Sequence, residues 1–191
     1  RRDVYALSEL LEDRPQVEFN IEGYPSAEFM TMVREVCPDQ CTLVPDSPDQ
    51  LTSDHGWHIP QNRSVLEKVL GDLRESGIRS SIFLDPDPEM VAQVPGVGAD
   101  RIELYTEDFA SHFAGPDQDS VFERYRLAAA AADRLGIGIN AGHDLDLQNL
   151  AKFLQIPNIL EVSIGHALVV ESLQMGIAEV IERYLGIVAG K

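Results

Sequence analysis

The stretch Asn20-Ile21-Glu22-Gly23 (NIEG) ends the first candidate strand of the sequence, and its residue types decide between two α/β folds. An open nucleotide-binding sheet would usually carry a G-x-G-x-x-G or Walker sequence after its first strand. Here a carboxylate stands at that point, and polar residues also lie at the ends of later strands: Asp85, Glu103, His143 and His166. Because (β/α) barrels build their active sites at this rim, the distribution predicts a barrel.

Short β-branched runs alternate with longer segments of helical period, which is typical of βα units around a parallel sheet. The helical patterns include a capping-box spacing at Ser64 and Glu67, an Ala-rich segment from Ser120 to Leu135 and a closing segment from Leu168 to Tyr184. Residues 45–62 and 106–119 predict extended loops. The six candidate strands are Gln16 to Ile21, Gln40 to Val44, Ser80 to Leu84, Arg101 to Tyr105, Gly136 to Asn140 and Glu161 to Ile164.

Composition limits the classes of partner. The 191 residues are 44% hydrophobic, which suits one domain with a real core. A formal net charge of -17 argues against nucleic-acid and anionic-membrane partners, and no apolar run approaches the roughly 20 residues of a membrane span. Cys37 and Cys41 fit neither a C-x-x-C motif nor a zinc pattern, so we predict reduced thiols in a cytoplasmic protein.

Two closing units each place Gly-His at a strand end, as Gly142-His143 and Gly165-His166. Glycine allows close approach of a backbone amide to a ligand, and the first turn of a following helix attracts anions. The two loops together predict a phosphate cradle. The alternative is that each glycine serves a tight turn that the histidine caps.

Two glutamates are candidates for chemistry. Strand alternation places Asn20 and Glu22 on one face, pointing into the barrel or its mouth, where Glu22 could act as a general base or be a solvated rim residue. Glu103 lies between apolar neighbours and is either catalytic or paired with a buried cation. His55 and His58 have H-x-x-H spacing but no further ligands, so we predict no metal site.

Six ordered motifs resemble the pyridoxine 5'-phosphate synthase family from one end of the chain to the other. They are Asn20-Ile21-Glu22, Leu43-Val44-Pro45-Asp46 with Leu51-Thr52-Ser53, Ser81-Ile82-Phe83-Leu84-Asp85, Ile102-Glu103-Leu104-Tyr105-Thr106, Asn140-Ala141-Gly142-His143 and Ile164-Gly165-His166-Ala167. The resemblance implies a (β/α)8 TIM-type barrel that condenses 1-deoxy-D-xylulose 5-phosphate with 3-amino-2-oxopropyl phosphate. It also implies small phosphorylated substrates, no cofactor, and a homo-oligomer, an octamer by family resemblance.

The same resemblance implies roles for individual residues. Glu22 matches the general base, His143 the proton donor and Glu103 an acidic position of the site. Thr52 matches a contact to deoxyxylulose phosphate. The Gly142-His143 and Gly165-His166 loops match the grip on aminooxopropyl phosphate, and Asn20 is a further candidate for substrate binding.

The chain also departs from the family pattern. The family's opening strand with Asn-x-Asp-His and its later His-x-Arg loop have no match, so we expect residues 1–191 to be one barrel domain without its first two βα units, and inactive alone. Glu107 and Asp144 stand where glycine is usual or frequent, and Asp144 adds negative charge near a phosphate site. Two other functions stay open: a binding or assembly module without turnover, and another phosphosugar enzyme.

Overall fold

The computed structural model describes residues 1–46, 50 and 52–190. Leu51, which belongs to one of the family motifs, lies outside the described residues, as do three other residues of the predicted loop 45–62. Within the described part of the chain, six strands form one parallel sheet in sequence order: β1 (Asn20–Gly23), β2 (Gln40–Leu43), β3 (Arg79–Leu84), β4 (Arg101–Tyr105), β5 (Gly138–Gly142) and β6 (Ile159–Ser163).

Helices follow the strands, as the alternating pattern predicts. They are α1 (Arg2–Leu11), α2 (Ala27–Val36), α3 (Ile59–Glu75), α4 (Pro88–Val91), α5 (Val94–Val97), α6 (Glu107–His112), α7 (Gln118–Arg134), α8 (Leu150–Phe153), α9 (His166–Met175) and α10 (Ile177–Ala189). No helix among the residues described is long and apolar enough to cross a membrane.

Every predicted strand has a counterpart, but several boundaries were wrong. β4 matches the prediction, whereas β1 begins four residues later than predicted, because its pairing with β2 starts at Asn20 opposite Gln40. β5 begins at Gly138 because Gly136, at φ 71°, still belongs to the end of α7, where its N–H donates to the Asp133 carbonyl.

Several helical boundaries also differ from the prediction. α3 begins at Ile59 with Pro60 in its first turn, so Ser64 lies inside the helix and the capping-box interpretation was wrong. The predicted loop 106–119 contains α6. The closing segment is two helices rather than one, because Gly176, at φ 88°, separates α9 from α10.

The sheet is curled, as contacts between side chains of distant strands show. Gln40 of β2 donates through Nε2 to Oε2 of Glu161 in β6 at 3.0 Å, although four strand spacings separate them in the sheet order. In a flat sheet those strands would lie about 19 Å apart. The polar side chains that contact one another at this level form a group that we call the basal layer, in which Glu18 is exposed: Glu18, Gln40, Arg79, Arg101, Asn140 and Glu161.

Helices cover the outside of the sheet with apolar side chains. α3 buries Leu66, Leu70 and Leu73, and α7 buries Tyr125 and its alanines, among them Ala128. Because all six strands are parallel, the loops that follow them open on one rim. The curled parallel sheet confirms the α/β class, while the eight-stranded barrel stays a prediction.

Candidate active site

A cavity of about 570 Å³ opens at the carboxyl ends of the strands. Its residues come from strand ends and from the loops that follow them, which is where a barrel assembles a site. The lining residues in the described part of the chain are Glu22, Asp46, Gln50, Thr52, Ser53, Phe83, Glu103, His143, Asp144, Ser163, Gly165, His166 and Val169. Six of the eight residues predicted from the sequence are therefore brought together, the exceptions being Asn20 and Gly142.

Glu22 of β1 faces this cavity, while its neighbour Ile21 is buried in the core, as strand alternation predicts. Partial desolvation by the cavity walls raises the pKa of the Glu22 carboxyl, the nearby Asp46 carboxylate raises it further, and His143 opposes the rise. A carboxylate with a raised pKa is suited to accept a proton near neutral pH.

Asn20 lies deeper on the same strand and does not line the cavity. Its Oδ1 accepts a hydrogen bond from Thr42 Oγ1 at 3.2 Å. The prediction that Asn20 contacts substrate stays a prediction.

Glu103 of β4 is only 2% exposed, and its Oε2 has no hydrogen-bond partner. Burial raises the pKa of this carboxyl to about 8 and the Glu22 carboxylate contributes, while the hydroxyl groups of Ser163 and Thr42 lower it. None of the ion pairs among the residues described includes Glu103, so the structure does not provide the buried cation that the sequence left open. This raised pKa suits Glu103 to keep its proton near neutral pH and to donate a hydrogen bond.

His143 follows β5 and points into the cavity with its ring held by polar contacts. Nε2 lies 2.9 Å from Thr52 Oγ1, and Nδ1 lies 2.8 Å from Asp144 Oδ2. The ring also packs edge-on against Tyr105, with centroids 4.9 Å apart. This arrangement presents one imidazole nitrogen to the cavity in a fixed direction.

The two Gly-His loops, which were predicted to form a phosphate cradle together, differ from each other. Gly165 directly precedes α9, and a Cβ at Gly165 would enter open space at the cavity. Gly142 is still part of β5, and its carbonyl accepts from Thr106 Oγ1 at 2.7 Å. A Cβ at Gly142 would collide with Glu103 Oε1, so the close approach of this carboxyl explains the glycine.

A helix does not open at His143 as predicted, because α8 begins only at Leu150. The geometric basis of the cradle is thus retained for the Gly165 loop alone. Substrate contact by Gly142 itself stays a prediction.

Asp46 and Ser53 are cavity residues that the sequence did not single out. Ser53 Oγ donates to Asp46 Oδ2, while Asp46 Oδ1 is buried without a partner. The signal was available, because Asp46 follows β2 in the Leu43-Val44-Pro45-Asp46 motif at the same rim as the other strand ends.

The electrostatic character of the cavity is acidic. Glu22, Asp46, Glu103 and Asp144 line it, and the described lining residues include no lysine or arginine. His55 lies outside it and contacts Asp54. No group of three or more His, Cys, Asp or Glu side chains in the described part of the chain is placed to hold a metal ion.

Comparison with known sequences identifies the family of this chain. The sequence model of the family described as "Pyridoxal phosphate biosynthesis protein PdxJ" matches residues 1–190. The chain belongs to the PdxJ family. A curated relative from Bacteroides fragilis (strain YCH46), named "Pyridoxine 5'-phosphate synthase", is 49% identical over 185 residues, covering 96% of this chain and 76% of the relative. A relative of the same name from Albidiferax ferrireducens is 42% identical over 193 residues, covering 98% and 77%. The family prediction is confirmed.

Solved structures support the fold of this PdxJ-family chain. The tryptophan synthase A-subunit from Pyrococcus furiosus superimposes with a TM-score of 0.64 at 15% identity, covering 96% of this chain and 72% of that one. A structure titled "Native KDPGal structure" gives a TM-score of 0.61 at 13% identity, covering 97% and 76%. At such low identity these neighbours show the fold and carry no information about the reaction.

Proposed function

We propose that this chain forms the active site of a pyridoxine 5'-phosphate synthase. The reaction condenses 1-deoxy-D-xylulose 5-phosphate with 3-amino-2-oxopropyl phosphate and releases inorganic phosphate and water. The observation that carries the proposal is the meeting of Glu22, Glu103 and His143 on one cavity in a chain of the PdxJ family. Ring closure of this kind consists of proton transfers, condensation and loss of water, which acid and base side chains can drive.

Glu22 is the proposed general base. The pKa of its carboxyl is raised, which narrows the difference from the much higher pKa of a C–H group beside a carbonyl. Proton transfer from that carbon to Glu22 is therefore more favourable. Glu22 faces the cavity, so a substrate bound there can reach it without movement of β1.

His143 is the proposed proton donor, and Glu103 acts beside it. The Nε2 atom of His143 reaches the cavity next to the Thr52 hydroxyl, where a leaving hydroxyl group could be protonated. Glu103, protonated at neutral pH, can donate a hydrogen bond to an oxygen that gains charge in the transition state.

The proposed binding of phosphate uses backbone groups rather than lysine or arginine. Gly165 and His166 lie at the start of α9, where unpaired amides and the helix dipole favour an anion. Thr52 is the proposed contact to deoxyxylulose phosphate, and Gly142 and Asn20 are the remaining proposed binding residues. Because the cavity carries several carboxylates, such local donors are needed to hold a phosphate.

We further propose that the six strands belong to an eight-stranded (β/α)8 barrel of one domain, in which two more βα units join β1 to β6. Two features support this closure. The interior side chains already meet across the curl, and β1 and β6 each pair with one strand only among the described residues. We expect turnover to require the closed barrel.

A homo-oligomer, an octamer by family resemblance, is also proposed. The Ala-rich helix α7 does not support it, because Ala128, Ala129, Ala131 and Ala132 are buried within the chain. The remaining support is the exposed apolar face of α9 and α10, which includes Leu173 and Leu185. A cytoplasmic location is proposed on the two free cysteines, Cys37 and Cys41.

The function is tested by calorimetry with each phosphate substrate, followed by a turnover assay. Both measurements are made on the closed-barrel enzyme and on the chain of residues 1–191. We expect the enzyme to bind both substrates and to form pyridoxine 5'-phosphate, and the shorter chain to show no turnover. Binding without turnover by the enzyme would contradict the proposed function and favour a binding module. Turnover by residues 1–191 would contradict the requirement for closure.

A further inference from the structure

One of the contacts that hold His143 comes from the next residue in the chain. Asp144 Oδ2 lies 2.8 Å from Nδ1, on the side of the ring away from Thr52. Tyr105 packs against the ring from a third direction. The imidazole therefore cannot rotate without losing a polar contact and a ring contact.

The backbone makes this contact between neighbours possible. Adjacent side chains in a strand point to opposite faces, but His143 and Asp144 have φ values of 89° and 57°, which turn the chain sharply after β5. Such values are costly for residues other than glycine and persist where surrounding contacts fix them. Here Asn149 Nδ2 donates to the Asp144 carbonyl at 3.0 Å, and Thr106 Oγ1 donates to the carbonyls of Gly142 and His143.

The pairing determines which ring nitrogen can exchange a proton. An ionised carboxylate only accepts hydrogen bonds, so Nδ1 carries a proton whenever it contacts Asp144. In the neutral ring Nε2 is then the nitrogen with a free lone pair, and it is the atom beside the cavity. The Thr52 hydroxyl can donate to Nε2 or accept from it, so it suits both protonation states.

We propose that Asp144 is a positioning residue that fixes the Nδ1–H tautomer of His143 and thereby directs proton exchange to Nε2. The inference rests on the proposed role of His143. It also assigns the negative charge of Asp144 to the imidazole, so this charge is not directed at a bound phosphate. Asp144 itself need not touch either substrate.

The test compares Asp144→Gly and Asp144→Asn with the wild-type enzyme. Glycine suits the positive φ, so loss of folding is not expected, and asparagine keeps the shape without the charge. The matched control is Asn158→Gly, since Asn158 also has a positive φ, of 65°, but is exposed and does not line the cavity. The ¹⁵N NMR spectrum of labelled histidine reports the tautomer, and kinetics give kcat and KM.

We expect the wild-type ring to be the Nδ1–H tautomer and the Asp144→Gly ring to shift toward Nε2–H. We expect kcat to fall about 10-fold or more, with KM changing by less than about 3-fold, because Asp144 acts on the acid and not on binding. The kcat of Asp144→Asn should fall at least as far, because the new amide can donate to Nδ1 of His143 and stabilise the opposite tautomer. Asn158→Gly should change neither tautomer nor kcat.

An unchanged tautomer in Asp144→Gly would overturn the inference, and so would a changed tautomer with an unchanged kcat. An enzyme without turnover would disprove the proposed function. The tautomer measurement would still decide whether Asp144 positions the ring.

Discussion

The basal layer and the cavity occupy the same curled sheet, but they contain opposite arrangements of charge. In the basal layer Arg79 pairs with Glu18 and Glu161, and Arg101 pairs with Glu161. At the cavity, Glu22, Asp46 and Glu103 come together, and the described lining offers no lysine or arginine to pair with them. The same side-chain chemistry thus supports the sheet at one level and leaves acids available at the next.

The difference has a thermodynamic meaning. Partly buried charges are stabilised by partners, and in the basal layer Arg79 and Arg101 both pair with the partly buried Glu161. A buried carboxylate that has no cation beside it binds a proton more tightly. Burial accordingly raises the pKa of Glu103 to about 8. Buried acids of this kind destabilise the fold and mark candidate functional sites.

The largest expected effect is a loss of turnover when a carboxylate of the cavity, but not one of the basal layer, is replaced. Glu22→Gln keeps the shape of the side chain but cannot accept a proton, so turnover should fall about 10²-fold or more while substrate binding changes little. The matched control is Glu18→Gln, the same change in the basal layer beside the same strand. Steady-state kinetics and calorimetry on both variants make the comparison.

Unchanged turnover in Glu22→Gln would remove Glu22 from the mechanism. A comparable loss in Glu18→Gln would show that the basal layer and the cavity do not have separate roles.

The second effect is on stability. Arg101→Met leaves Glu161 without its closest cation and Asn140 Oδ1 without a donor 3.3 Å away. The free energy of unfolding should fall by about 1 to 3 kcal/mol, because Glu161 keeps only the more distant Arg79 as a cation and the buried Asn140 loses a donor. Arg126→Met, which removes an exposed pair with Glu123, should cost less than about 1 kcal/mol. Urea unfolding measures both free energies. Equal losses would show that the pairs of the basal layer contribute no more to stability than an exposed pair does.

The third effect is the pH dependence of stability. Glu103 has a folded-state pKa of about 8 against an ordinary value of 4.5, so between these values the folded protein holds a proton that the unfolded chain has released. The free energy of unfolding therefore declines as pH rises from about 4.5 to 8, at up to about 1.4 kcal/mol per pH unit. Glu103→Gln should remove this decline.

The measurement is urea unfolding at several pH values across that window. Glu67→Gln, on an exposed part of α3, is the control and should keep the wild-type slope. The same slope in Glu103→Gln would mean that Glu103 is ionised in the folded protein.

Much of the fold follows from local sequence signals, and the errors have both local and non-local causes. The alternation of strand and helix was visible, and β4 was placed correctly because apolar residues flank Glu103 inside a short β-rich run. The start of α3 was missed because Ser64 imitates a cap while Pro60 marks the true first turn. The start of β1 depends on its register with β2, which no local pattern encodes.

The site was less predictable where it depends on contacts between distant segments. Positions at strand ends brought Glu22 and His143 to the cavity. The sequence could not give the reason for Gly142, which is its closeness to the Glu103 carboxyl across β4 and β5. Nor could it show that Asp144 reaches His143, because that contact depends on two positive φ angles.

The smallest effect concerns the loop that brings Thr52 to the cavity. Tyr105 OH donates to the Ser53 carbonyl at 3.1 Å, and burial raises the pKa of this phenol to about 12, so it remains a donor. Tyr105→Phe should lower the free energy of unfolding by about 1 kcal/mol, because a carbonyl loses its partner. It should also raise KM for deoxyxylulose phosphate a few-fold, since Thr52 is less firmly held.

Tyr125→Phe removes a similar bond, 2.7 Å to the Tyr105 carbonyl, away from that loop. It should cost similar stability without changing KM, and an equal rise in KM would mean that the cavity responds to general loosening of the sheet rather than to its own loop.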